Sequence, residues 1–74
     1  MSTAVATIQQ SRAAVVLRES PIPALRKLSI EETEALVLIN GKVQSYYLKQ
    51  LAQEAVMPLL EGRALLNRVL VVGS

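Results

Sequence analysis

The chain has 74 residues, 51% of them hydrophobic, with no cysteine or histidine and a net charge of only +2. That is room for one small domain. It excludes disulfide staples and thiol chemistry as well as histidine acid–base catalysis. The mean hydropathy of +0.35 is high for so small a domain. One core takes in only part of that apolar surface, so two readings stand: a core rich in Leu, Val and Ala, or an apolar face offered to a second copy, a partner or lipid.

Residues 1–6 are small and unpatterned and read as a frayed, disordered tail, leaving an expected domain over residues 7–74. Residues 7–19 read as a helix. Ala13, Val16 and Leu17 have helical spacing, Ile8 lies near the start, and Thr7 stands as the N-cap. Ser20-Pro21-Ile22-Pro23 stops it, because each proline disfavours helix in the residue before it. The N-terminus lacks a basic segment and a long apolar run, with Gln9, Gln10 and Arg12 interrupting, so no signal peptide is expected. No apolar run approaches the ~20 residues that span a bilayer. The expected location is therefore cytoplasmic.

Residues 25–32 read as a first strand, in which Leu28 and Ile30 alternate with Lys27, Ser29 and Glu31. Thr33-Glu34-Ala35 is the expected tight link, a weak turn signal without Gly, Asn or Asp. Residues 36–43 read as a second strand. Asn40-Gly41 has the composition of a hairpin turn, but the residues after it turn helical. Gly41 therefore reads as a strand glycine closely covered by a neighbouring element. Ser45 caps a second helix running to about residue 57, with Leu48, Leu51, Ala52, Ala55, Val56 and Leu59 as its apolar stripe. Lys49, Gln50, Gln53 and Glu54 occupy its wet side, and Pro58 ends or kinks it. Glu61-Gly62 makes the connection to a third strand over residues 64–72. The order is α-β-β-α-β.

That order, with these residues, resembles the BON domain, a small bacterial module. Its pattern is a strand ending in apolar-x-Gly-x-Val, a helix of alanines and apolar residues, and a strand with Asn-x-apolar-x-Val. Ile39-Asn40-Gly41-Lys42-Val43 matches the first part, Ser45 and the helix through Val56 the second, and Asn67-Arg68-Val69-Leu70-Val71 the third. The segment SPIPALRKLSIEE looks like the helix end and first strand of a BON subgroup, and the resemblance covers roughly residues 12–72. Two positions depart from the pattern. Ala35 stands where the family usually has Gly, and Glu61-Gly62-Arg63 where it usually has Gly-Val. The resemblance implies an α+β fold, a two-layer sandwich with both helices on one face of a three-stranded mixed sheet. It also implies a non-enzymatic role in binding phospholipid or membrane surfaces, or in holding assemblies together. Members of the family are often periplasmic and often sit beside other domains.

Catalytic, cofactor and metal residues are not expected. Without His, Cys or Asp neither a triad nor a thiolate site can be built. Glu31, Glu32 and Glu34 form the one acidic cluster. It reads either as a cation site or as a solvated hairpin end, and the second is preferred because carboxylates along a strand and turn do not converge as in a calcium loop. Arg12, Arg18, Arg26, Lys27, Lys42, Lys49, Arg63 and Arg68 are spread along the chain and read as solubilising charge. With only Tyr46 and Tyr47 for stacking, nucleic acid is not an expected partner. One of these two rings is expected on the sheet edge and the other in water, with a membrane interface as the functional alternative.

The sheet's second face is more telling. In the second strand Val37, Ile39, Gly41 and Val43 share one parity, suited to the helix-covered side, so Leu36 and Leu38 point away with Asn40 and Lys42. In the third strand the resemblance puts Leu65, Val69 and Val71 inward, leaving Leu66, Leu70, Val72 and Arg68 outward. Such a face is ordinarily polar. Here Leu36, Leu38, Leu66 and Leu70, rimmed by Lys42 and Arg68, form the candidate lipid or partner face, with Gly41 and Asn67 as structural residues. Three readings of it stand: self-association, contact with a phospholipid surface, or an ordinary scatter of exposed apolar residues.

Overall fold

A computed structural model describes residues 11–73 of the chain. The tail expected over residues 1–6 and the cap expected at Thr7 lie outside them. Helix α1 (Arg12–Arg18) is capped by Ser11, whose Oγ accepts from the Ala14 N–H at 3.0 Å, and it buries Ala13 and Leu17.

The expected first strand is shorter than the periodicity suggests. Its opening residues form a one-turn helix, α2 (Pro23–Arg26), and strand β1 covers only Ser29–Glu32. Pro23 begins this helix. Its fixed φ suits a first helical turn, and its missing N–H is one that no helical carbonyl would accept. Leu25 thereby enters the core from a helix, not from a strand.

Strand β2 (Leu36–Asn40) pairs antiparallel with β1, Ile30 facing Ile39 and Glu31 facing Leu38. Thr33 organises the link between them. Its N–H donates to the Leu36 carbonyl, and its Oγ1 accepts from the N–H groups of Ala35 and Leu36 at 3.1 and 3.0 Å. A threonine hydroxyl thus supplies the turn signal that glycine or asparagine would otherwise give.

The second strand is interrupted at Gly41 and resumes as β3 (Lys42–Val43). Helix α3 (Tyr46–Val56) follows, its first turn capped by Ser45 Oγ, which accepts from the Leu48 N–H. A 3-10 turn over Met57–Leu59 carries Pro58. Glu61 and Gly62 both have positive φ, 53° and 85°, and the Arg63 N–H donates back to the Leu60 carbonyl at 3.0 Å. The third strand is likewise split, into β4 (Ala64–Asn67) and β5 (Leu70–Val71).

The result is an α+β sandwich. A three-stranded mixed sheet runs in the order β1-β2-β4, with β2 and β4 parallel, and a parallel β3-β5 ribbon prolongs it. Leu36 faces Ala64 and Lys42 faces Leu70, an offset of 28 residues on both sides of the break. The two parallel strands therefore break at one row and keep their register across it. Val37, Ile39 and Val43 are buried with Ala13 and Leu17 of α1, Leu25 of α2, and Ala52 and Val56 of α3. The helices cover the face those three strand residues share. Val71, expected inward, is 43% exposed, because β5 is an edge strand in a two-stranded ribbon. No helix among the described residues is long and apolar enough to cross a membrane.

Candidate functional site

Residues paired across a sheet share a face, so the register places the outer face directly. One row runs Glu31, Leu38, Leu66 across β1, β2 and β4. A second pairs Leu36 with Ala64, and a third pairs Lys42 with Leu70. The constant offset puts Arg68 opposite Asn40, on the same face. Leu36 and Leu38 are half-buried among their neighbours, while Leu66 and Leu70 are 47% and 58% exposed. Lys42 and Arg68 are exposed. The six candidate residues thus lie on one surface: Leu36, Leu38 and Leu66 cluster on β2 and β4, and Leu70 lies past Arg68, beside Lys42, at the β3-β5 end. Glu31, exposed on β1, occupies the opposite edge of this face.

Gly41 marks the row where both strands break. Its φ is +138°, and a Cβ there would lie 2.5 Å from Leu28 Cδ2 and 3.4 Å from Leu28 Cα. The covering element is Leu28, the residue just before β1. Asn67 sits on the inner face at the same break. Its Nδ2 donates to the Lys49 carbonyl at 3.1 Å and to Gln53 Oε1 at 3.4 Å, and its Oδ1 accepts from the Val69 N–H at 3.2 Å. One side chain therefore ties the strand break to the middle of α3.

That tie has an electrostatic consequence. A cleft of about 500 Å³ opens at the break, lined by Asn40, Gly41, Lys42, Lys49, Arg68, Val69 and Leu70. Basic residues that look scattered in sequence meet there: Lys42 and Arg68 from the two strands and Lys49 from α3. No carboxylate lines the cleft, and none of the three cations forms an ion pair among the described residues. Lys49 reads from sequence as an ordinary residue of the helix's wet side. The packing of α3 on the sheet brings it to the break, where its carbonyl accepts from Asn67, 18 residues away in the chain.

The acidic cluster is dispersed. Glu31 and Glu34 are exposed, but Glu32 shares the inner parity of Val37 and is not part of a solvated hairpin end. Its carboxylate accepts from the Ser11 hydroxyl and from Arg63 Nη1, the latter at 2.5 Å, with both ionic side chains about one-fifth exposed. The Ser11 bond and then the Arg63 guanidinium hold the Glu32 carboxyl below the usual glutamate range. Arg63 also donates to the carbonyls of Leu60 and Leu59 at 2.8 and 3.0 Å. It closes the turn after the 3-10 segment and is a structural clamp, not the solubilising charge expected from sequence. Among the described residues no group of three acidic side chains is gathered to hold a metal ion.

Tyr46 and Tyr47 are both exposed, 68% and 70%, contrary to the expectation that one ring packs on the sheet edge. They occupy the first turn of α3, where Leu48 makes the contact with the core instead. No protein-family model, curated protein or solved structure matches the chain.

Proposed function

We propose that the chain is a non-enzymatic, BON-like binding module that docks its outer sheet face on anionic phospholipid surfaces. The observation that carries this reading is a leucine surface of Leu36, Leu38, Leu66 and Leu70 bordered by Lys42 and Arg68, on the side of the sheet away from the helices. Apolar side chains enter the headgroup boundary and the cations meet lipid phosphates. Each Lys or Arg near such a surface contributes about 1 kcal/mol. Two of them with a flat leucine patch give weak, reversible, salt-sensitive attachment. Co-sedimentation with anionic and neutral vesicles at low and moderate salt tests it. Binding to anionic vesicles that fades with salt is expected, and absence of pelleting at low salt overturns it.

A second reading is self-association, favoured by Glu31 on the β1 edge of the same face. A two-fold axis along the strands lays the β1 edge of one copy over the β4-β5 edge of the other. Glu31 then comes within a row of Arg68 while the leucines meet in the middle. Changing Leu38 and Leu70 to Lys separates these surface roles from a core role. The double variant is expected to remain folded and to be monomeric. If it unfolds, those side chains belong to the core and neither reading of the face survives.

A further inference from the structure

We infer that the cleft at the strand break is an anion site for a phosphate group, held jointly by Lys42, Lys49 and Arg68 with the Asn40 amide beside them. Three observations converge. The first is shape: the strand break opens a cleft of about 500 Å³. The second is charge. Three cations line it, no carboxylate does, and none of the three forms an ion pair among the described residues. A phosphate group supplies the missing negative charge and takes paired N–H donors from the planar Arg68 guanidinium, with the lysines as point charges.

The third is rigidity. The three positions are set by backbone structure. Lys42 follows the Gly41 break directly. The Arg68 N–H donates to the Ile39 carbonyl and the Leu70 N–H to the Gly41 carbonyl, both at 2.9 Å. Lys49 is anchored through its carbonyl to Asn67 Nδ2. The folded backbone therefore sets all three residues around one cleft before any ligand arrives. Leu70, 58% exposed at the mouth, gives the cleft an apolar lip beside its charge. That combination suits an organic phosphate, either a small soluble ester or the headgroup of a lipid. The lipid form rests on the membrane reading given above; the anion site does not.

Lys49 is the discriminating residue, since it lies on α3 and not on the outer sheet face. The ¹⁵N-labelled protein is titrated with inorganic phosphate and with glycerol 3-phosphate at constant ionic strength. Shifts confined to the amides of the lining residues Asn40, Gly41, Lys42, Lys49, Arg68, Val69 and Leu70 are expected. Lys49→Gln and Arg68→Gln each weaken binding by about tenfold, the loss of one charge-assisted contact. Arg26→Gln, the same charge change on α2, leaves it unaltered. Absence of localised shifts, or equal loss with Arg26→Gln, overturns the site.

The same variants are then pelleted with phosphatidylglycerol vesicles. Loss with Lys49→Gln beyond that with Arg26→Gln identifies the lipid headgroup as the source of the phosphate. A positive titration without vesicle binding keeps the site, assigns it to a soluble phosphate ester and removes the membrane reading. Vesicle binding without any shift from phosphate or glycerol 3-phosphate keeps the membrane reading and removes the site.

Discussion

Replacing Gly41 with alanine adds one methyl group to a chain of 74 residues, yet it is expected to remove much of the domain's stability. Two costs arise together. A φ of +138° belongs to a region that L side chains rarely adopt, at about 1–3 kcal/mol. The new Cβ would also stand 2.5 Å from Leu28 Cδ2, well inside contact distance. Leu28 belongs to the buried core cluster, so its side chain has little room to swing aside, and overpacking of this kind costs about 1–3 kcal/mol. The combined loss is about 2–6 kcal/mol, against a total of about 4–11 kcal/mol for a domain of this length.

Urea unfolding followed by circular dichroism measures it, in wild type, in Gly41→Ala, and in both again with Leu28→Val. The valine shortens the obstructing side chain at about 1 kcal/mol of its own. In that background the cost of Gly41→Ala should fall by the overpacking share and keep the backbone share. A loss below about 1 kcal/mol for Gly41→Ala refutes the argument. An equal loss in both backgrounds shows that Leu28 is not what the methyl group meets.

Two further predictions concern groups that the fold alone brings together. The folded-state pKa of Glu32 lies below its ordinary value of 4.5, so its contribution to stability is complete above that value and is lost as pH falls through the lowered one. Wild type should therefore lose stability on acidification faster than Glu32→Gln, the gap between their urea midpoints closing well below pH 4.5; parallel curves would show that the Ser11–Glu32–Arg63 cluster contributes nothing. Asn67→Ala removes the acceptor for the N–H of Val69, a fully buried residue, and the link to the Lys49 carbonyl. A loss of about 1–3 kcal/mol is expected, with faster hydrogen exchange at the Val69 amide, and unchanged exchange there would assign the bond no structural role.

Much of the architecture was legible from local signals. Ser45 caps α3 because its hydroxyl can reach the Leu48 N–H whatever else the chain does. The alternation of Val37, Ile39 and Val43 with Leu36 and Leu38 sets which residues face the helices, since side chains on a strand alternate with a period of two. Proline was harder to read. Pro23 starts a helix of its own, and a rule that treats proline only as a breaker turned Leu25 into a strand residue. Glu61 with Gly62 gave the connection correctly, but nothing local disclosed that Arg63 would close it by reaching Glu32, 31 residues back.

The sequence by itself determined the α+β class, the Ser45 cap and which side of the second strand faces the helices, because each depends on contacts within a few residues or on the repeat of a single element. Tertiary structure alone decided which charges meet. Glu32 is joined to Arg63, and Lys49 is set on the same cleft as Lys42 and Arg68, by sheet register and by the packing of α3 on the strand break. Charged side chains carry no periodic signal of their partners, so their pairing exists only once the backbone has closed around the core.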